Sequence, residues 1–235
     1  MSEPSNFAPL QLCMMRVAAL SSGGAPQPGA YGYITDSVMT AKIKLEIEAG
    51  DEVTVKNGCG NISQYSKSGD HVKGATITME LPTFDLTLLS LLIGNSTLVR
   101  DASGVGVGEA MGWRAPAVAA AAGNGVCLEM WSKAWDNTQQ ATPNTLGGTT
   151  AGYFHWVFPR VLFTLSDLPL GSDFTTTTVE GTVSENANLT VNGPWNDWPY
   201  DIARQGISEV VGVFYDAAMA TLPATAVIQT VPATS

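Results

Sequence analysis

The sequence predicts a mainly β domain with one packed α-helix. Several short segments alternate apolar and polar side chains with a period of two, which is typical of half-buried strands. Gly and Pro residues separate these segments, and a single segment shows the apolar period of a helix. Neither an internal repeat nor a break in composition marks a second domain. We therefore expect one β domain over residues 37–216, between an N-terminal arm and Gly/Pro-rich loop at 1–36 and an Ala/Thr/Pro-rich tail at 217–235.

The clearest alternation lies early in the predicted domain. Residues 42–48 alternate isoleucine and leucine with lysine and glutamate, and residues 53–55 resume the pattern after a turn. This pattern predicts two strands that pair as a hairpin. The segment 57–74 is rich in Gly, Asn, Ser and Lys and is expected to form a long loop. A third strand is expected at 75–81, where apolar side chains again share one face.

One helix is expected directly after this third strand. Asp85 can cap its N-terminus, residues 86–93 carry a leucine-rich stripe, and Gly94 stands where a C-cap would lie. A loop at 94–112 and an Ala-rich segment at 115–124 should follow.

Strand patterns return in the second half of the chain. Pro159 is expected at an edge or bulge because it cannot donate a ladder hydrogen bond. His155 alternates with aromatic residues and is expected on a strand face, hydrogen-bonded across the sheet. The expected strand segments are 126–131, 153–158, 161–165, 174–183 and 207–215.

The first 36 residues are expected to lie outside the sheet. The Gly/Pro-rich run at 21–33 is typical of an extended arm or long loop. The N-terminus lacks the basic and apolar regions of a secretory signal. Three widely spaced cysteines without a CxxC motif favour synthesis in a reducing cytoplasm over a disulfide framework.

The charge composition excludes several classes of protein. Charged residues make up 14% of the chain, against about a quarter in an average soluble domain, and the formal net charge is −10. A protein that grips nucleic acid needs clustered Lys and Arg, and a membrane span needs a run of about 18 apolar residues. Neither is present in the sequence. The scarcity of charge favours a surface that is extensively buried against other copies of the chain.

The residues that could carry chemistry do not assemble an active site in the sequence. The Asp70-His71 pair lies in a polar loop pattern, Cys59 lies between glycines, and the glycines at 104–108 lack a preceding strand and a following helix. Neither histidine has a ligand partner at metal-binding spacing. We therefore expect no catalytic residue, no cofactor and no bound metal.

Three stretches, in this order, resemble the major tail tube proteins of long-tailed, non-contractile bacteriophages, especially those of actinobacteria. The first is residues 41–61, AKIKLEIEAGDEVTVKNGCGN, and the second is residues 79–94, MELPTFDLTLLSLLIG. The third pairs residues 127–135, CLEMWSKAW, with residues 153–161, YFHWVFPRV. The resemblance extends over about residues 30–200.

This resemblance implies a β-sandwich or half-barrel with one helix, six copies of which close into a ring with a continuous inner β-barrel. Stacked rings would form a tail tube in the virion, after synthesis in the bacterial cytoplasm. The tube would conduct genomic DNA without binding it specifically. The implied partners are other copies of the chain and the tape measure, tail tip and terminator proteins, with no membrane insertion by this chain.

The resemblance also assigns roles to particular residues. An acidic lumen would repel DNA phosphates and leave no contacts to slow the passage of DNA. The long loop and the N-terminal arm would contact the next ring. The candidate lumen residues are Glu46, Glu48, Asp51, Glu52 and Glu80; the candidate ring-stacking residues are Asn57, Gly58, Cys59, Gly60, Asn61, Lys67, Asp70 and His71; the candidate arm residues are Pro26, Pro28, Tyr31 and Tyr33.

The alternative from another class is a carbohydrate-binding or adhesin β-sandwich, such as a virion or cell-surface lectin. It would use exposed Trp113, Trp195 and Trp198 as stacking surfaces for sugar rings. Packing in a core or an interface is the competing interpretation of the tryptophans.

Overall fold

A computed structural model shows a mainly β protein with one short helix, as the sequence predicts. The structure describes residues 7–26, 31–36, 38–94, 97–100, 110–116, 123–136, 150–167, 176–189, 193–195, 198, 212–216 and 228–230. The strands are β1 Phe7–Ala19, β2 Tyr31–Thr35, β3 Thr40–Glu48, β4 Glu52–Lys56, β5 Ile62–Lys67, β6 His71–Leu81, β7 Thr97–Arg100, β8 Ala110–Arg114, β9 Val126–Asp136, β10 Thr150–Asp167, β11 Thr177–Ser184, β12 Gly212–Asp216 and β13 Ile228–Thr230. The helix α1 is Leu86–Leu92.

Most strands belong to one antiparallel sheet. Its order is β13-β2-β1-β9-β10-β11-β6-β3, with β12 paired to the first part of β10. Two smaller ladders, β4-β5 and β7-β8, stand apart from it. No helix in the described part of the chain is long and apolar enough to cross a membrane.

One face of the main sheet forms the core. Side chains from β1, β6, β9, β10 and β11 point into a single buried cluster that includes Met15, Ile77, Leu128 and Phe158. The sheet is strongly curved, because Leu12 on β1 and Ile43 on β3 line the same small cavity although four strands lie between β1 and β3 in the order.

Helix α1 covers this apolar face as the leucine pattern predicts. Leu88, Leu89 and Leu92 are buried in the core cluster. The predicted cap is confirmed, since the Asp85 carboxylate accepts hydrogen bonds from the backbone N–H groups of Thr87 (2.9 Å) and Leu88 (3.1 Å). The helix ends one residue earlier than predicted, with Ile93 as its C-cap.

The predicted pairing of the strands at 42–48 and 53–55 is wrong. β3 pairs with β6, and β4 pairs with β5, so that residues 40–81 form one long hairpin interrupted near its middle. The segment 57–74 is therefore not a long loop, since it contains β5 and the start of β6. At the interruption, Gly50 N donates to the Asp70 carboxylate (3.1 Å) and Ser68 N donates to the Asp51 carbonyl (3.0 Å).

The N-terminal segment is also placed differently from the prediction. β1 is an internal strand of the main sheet between β2 and β9, so residues 7–19 are not an arm outside the domain. Residues 14–18 of β1 are buried on both faces, and such segments lack the alternation by which strands are recognised. Truncation before Tyr31 would therefore remove an internal strand.

Smaller differences concern the segments near the other predicted loops and strands. The predicted loop at 94–112 contains β7 and the start of β8. The register shift between Phe158 and Val161 confirms the bulge expected at Pro159. Residues 117–122 of the Ala-rich segment and residues 207–211 lie outside the described residues, as does most of the C-terminal tail.

Candidate assembly surfaces

The outer faces of β3, β6, β11 and β10 form a largely polar surface, with Leu162 opposite Thr182 as an apolar member. The ladders align Lys42, Thr78, Glu180 and Thr164 in one row across the four strands. The core lies on the opposite face of these strands. We call this surface the polar sheet face and define it by Thr40, Lys42, Lys44, Glu46, Thr76, Thr78, Glu80, Thr164, Thr178, Glu180 and Thr182.

Only part of the predicted lumen set lies on the polar sheet face. Glu46 accepts a hydrogen bond from Thr76 Oγ1 (3.0 Å), and Glu80 accepts one from Thr40 Oγ1 (3.1 Å). Glu48 lies at the far end of β3, with its carboxylate 3.5 Å from Lys73 Nζ. The structure places Asp51 and Glu52 beyond the interruption of the long hairpin and not on this face.

The sequence analysis missed Glu180, the third acidic residue of the polar sheet face. Glu180 is exposed, and it alternates along β11 with Thr178 and Thr182, a signal that was available in the sequence. The face holds two lysines, Lys42 and Lys44, against three glutamates, which is a formal charge of −1 (2 − 3). Its acidity is thus much weaker than the net charge of the whole chain would suggest.

The second surface is the outer half of the long hairpin, which we call the projecting hairpin and define as residues 49–70. Every residue of β4 and β5 is exposed. The surface includes large apolar side chains whose exposure to water is energetically unfavourable, such as Ile62, which is 63% exposed, and Tyr65, which is 58% exposed. Val53 and Val55 share one face of β4 and are exposed as well.

The predicted ring-stacking residues all belong to this hairpin or adjoin its base, and all are exposed. Residues 57–61 form its tip, where Gly60 has a φ of 85° that favours glycine. At the base, Lys67 Nζ lies 3.8 Å from the Asp70 carboxylate, and His71 begins β6.

The predicted arm residues that the structure describes do not form a free arm. Pro26 is buried and forms an isolated bridge with Leu20. Tyr31 and Tyr33 lie in β2, and the Tyr33 hydroxyl donates a hydrogen bond to Asp85 at the start of α1. Burial and the Asp85 carboxylate raise the pKa of Tyr33. Pro28 lies outside the described residues.

A buried polar network lies on the outer side of β1, β9 and β10. The Glu129 carboxylate accepts hydrogen bonds from Arg16 Nε (3.0 Å), Arg16 Nη2 (2.6 Å) and Trp198 Nε1 (2.7 Å). His155 Nε2 lies 2.9 Å from the same carboxylate, which confirms the predicted hydrogen bond across the sheet. The Arg16 guanidinium also stacks over Trp195, 4.2 Å from the ring centre. The sequence analysis missed Arg16 and Glu129.

The network holds Glu129 in its ionised form. Burial alone would raise the pKa of this carboxyl, but the Arg16 charge and the hydrogen bonds from His155 and Arg16 outweigh burial and lower its pKa from 4.5 to about 2. An ionised carboxylate can only accept hydrogen bonds, so His155 must donate through Nε2. All four side chains are buried, and three of them are hydrogen-bonded to the Glu129 carboxylate. The network therefore has a structural role, because it holds β1, β9, β10 and Trp198 together.

The tryptophans do not form the exposed platform that a lectin would use. Trp198 is buried, and Trp113 and Trp195 are half-buried with their indole nitrogens shielded from solvent. Trp131 is buried and stacks on His155. These positions favour packing over sugar binding.

The other residues considered for chemistry are separate from one another. His71 is exposed beside Glu48, His155 is in the buried network, and Cys59 is exposed at the hairpin tip. In the part of the chain that the structure describes, no group of three or more His, Cys, Asp or Glu side chains is arranged to hold a metal ion.

Comparisons of the sequence with protein-family models and with curated proteins give no match.

Proposed function

We propose that this chain is a structural virion protein whose hexameric rings stack into a phage tail tube. The observation that carries the proposal is the pair of surfaces described above. A polar sheet face backed by the core suits the wall of a water-filled channel. The projecting hairpin, whose apolar side chains are exposed, suits contact with a neighbouring copy. The free protein would need such a partner, because exposed apolar area of this kind is usually covered in an assembly.

In this proposal the polar sheet face lines the lumen. Threonine hydroxyls, two lysines and three glutamates, two of which accept hydrogen bonds from threonines, keep the surface hydrated without presenting a cluster of positive charge to DNA. A weak excess of negative charge is sufficient, because duplex DNA is held mainly by Lys and Arg contacts to phosphates and binding falls away when they are absent. The lumen set proposed from the structure is therefore Glu46, Glu80 and Glu180.

The free edge of β3 supports closure into a ring. Within the described residues β3 pairs only with β6, so its other side presents unpaired backbone groups over nine residues. Such an edge invites pairing with another chain, and a ring of subunits would remove it. The tube would join the tape measure, tail tip and terminator proteins in the virion tail.

Charge reversal of the polar sheet face tests the assigned lumen. The triple substitution Glu46→Lys, Glu80→Lys and Glu180→Lys changes the formal charge of the face from −1 to +5 per subunit (five lysines and no glutamate). We expect tubes assembled with short duplex DNA to retain DNA that a nuclease cannot reach. The protected DNA should be released at high salt.

A matched control changes the same amount of charge elsewhere. Asp36→Lys, Glu185→Lys, Ser22→Lys and Ala187→Lys alter four exposed residues that lie neither on the polar sheet face nor in the projecting hairpin, and they also change the formal charge by +6. Tubes of this control should protect no DNA, like the unmodified protein. Equal protection by both variants, or none by the first, would contradict the lumen assignment.

A further inference from the structure

The tip of the projecting hairpin contains an Asn-Gly sequence whose asparagine side-chain oxygen faces two backbone N–H groups. The side-chain oxygen Oδ1 of Asn57 accepts hydrogen bonds from the backbone N–H groups of Cys59 (3.1 Å) and Asn61 (3.0 Å). Two backbone hydrogen bonds, Asn57 N to Asn61 O (2.8 Å) and Gly60 N to Asn57 O (2.9 Å), hold the turn in this shape. These bonds hold the side-chain amide of Asn57 over the turn, toward the residues that follow it in the chain.

From this geometry we propose that Asn57 is a site of spontaneous deamidation in the unassembled chain. The nitrogen of Gly58 attacks Cγ of Asn57, and the new C–N bond closes a five-membered imide as the Cγ–Nδ2 bond breaks. The proton of the Gly58 amide leaves with the departing group through water, so ammonia is released. Water then opens the imide at either carbonyl, giving aspartate or isoaspartate at residue 57. No oxidant or cofactor is consumed.

The two donors are placed where this reaction develops charge. Attack on Cγ converts Oδ1 from a carbonyl oxygen into an oxyanion. Backbone N–H groups about 2.7–3.1 Å from a developing oxyanion are the arrangement by which enzymes stabilise tetrahedral intermediates. The N–H groups of Cys59 and Asn61 already lie at these distances. The folded turn therefore lowers the barrier to ring closure.

The attacking residue is also unobstructed. The space around Gly58 where a Cβ would lie has no heavy atom within 4 Å, and the whole tip is exposed to water. Within the described residues, no hydrogen bond from the Gly58 amide to a protein acceptor is seen. The nitrogen is thus available to approach Cγ.

A second Asn-Gly sequence provides an internal comparison. Asn124 is exposed, but Gly125 has a φ of 85°, and its carbonyl accepts a hydrogen bond from Leu20 N (3.2 Å). A Cβ at Gly125 would lie 3.0 Å from the Val161 carbonyl oxygen, so this peptide is packed against β10. The same dipeptide is therefore held rigidly at residue 124 and left free at residue 57.

The inference is independent of the proposed tail function and is tested on the unassembled fraction of the purified protein. The protein is incubated at neutral and alkaline pH, and peptide mass spectrometry measures deamidation at residues 57 and 124, with isoaspartate detected by enzymatic methylation. The same incubation in urea gives the deamidation rates of residues 57 and 124 in the unfolded chain. Gly58→Ala introduces a side chain into open space, and Gly69→Ala, which also introduces a side chain with no heavy atom within 4 Å, serves as the matched control.

We expect Asn57 in the folded protein to react at least as fast as it does in urea, and about tenfold faster than Asn124, a difference of ~1.4 kcal/mol in activation free energy. Gly58→Ala should slow the reaction at residue 57 by a similar factor, whereas Gly69→Ala should leave residue 57 unchanged. A folded rate at Asn57 several-fold below the rate in urea, or equal rates at the two sites in the folded protein, would overturn the proposal.

Discussion

Replacing Glu129 with alanine is expected to lower the free energy of unfolding by about 3–5 kcal/mol. The substitution removes the acceptor of both Arg16 hydrogen bonds and of the Trp198 indole N–H. Arg16 is almost fully buried, so its guanidinium would be left as an uncompensated charge away from water. Loss of this single carboxylate therefore disturbs three strands and Trp198 together.

Urea unfolding followed by tryptophan fluorescence measures this loss. The matched control is Glu180→Ala, which removes an exposed glutamate from β11 and should change the free energy of unfolding by no more than ~0.5 kcal/mol. A loss of less than ~1 kcal/mol for Glu129→Ala would show that the buried network contributes little to stability.

The pH dependence of stability provides a second measurement on the same residue. The pKa of Glu129 is lower in the folded chain than its ordinary value of 4.5, so its contribution is fully present above pH 4.5 and is lost as the pH falls through about 2. The Glu129→Gln variant should lose this part of the acid dependence.

Removal of the projecting hairpin is expected to abolish stacking while leaving the fold intact. The variant joins Asp51 to Ser68 through a two-residue Asn-Gly turn, which deletes β4, the tip and β5. None of the deleted side chains belongs to the buried core, and the hydrogen bond between Ser68 N and the Asp51 carbonyl already brings the new ends together. Thermal unfolding should therefore occur within a few degrees of that of the full chain, but tubes should not form.

The apolar side chains, and not the length of the hairpin, should carry this effect. Changing Val53, Val55, Ile62 and Tyr65 to serine keeps the chain length but removes the apolar area, and we expect it also to prevent tube formation. Lys56→Gln with Gln64→Asn changes two exposed polar residues of the same hairpin and should still assemble. Tubes of normal length from the deleted variant in electron micrographs would show that the hairpin is not a stacking element.

The elements predicted correctly from the sequence are those with strong local patterns. The helix at Leu86–Leu92 combines a leucine stripe with Asp85 as its cap, and both signals lie within one short segment. β6 alternates buried and half-buried residues over its second half, and β3 alternates half-buried Ala41 and Ile43 with exposed residues, so alternation reveals both strands. Local pattern alone, however, does not say which strand pairs with which. The expected pairing of β3 with β4 failed for this reason.

The parts that escaped prediction depend on contacts between distant segments. β1 lies internally in the sheet and its residues 14–18 are buried on both faces, so its sequence does not differ from that of other apolar runs. The ion pair between Arg16 and Glu129 joins residues 113 positions apart in the sequence. His155 was recognised as a strand residue with a polar partner, but its partner could be found only once β9 and β10 were aligned. The polar sheet face likewise became visible only from the registers of four strands.

Negative-stain electron microscopy of the purified protein shows whether copies of this chain assemble into rings that stack into a hollow tube. We expect six-fold rings, or tubes built from them, with an axial channel, and their number should increase with protein concentration. A protein that remains monomeric and shows no rings or tubes at high concentration would rule out a tail tube.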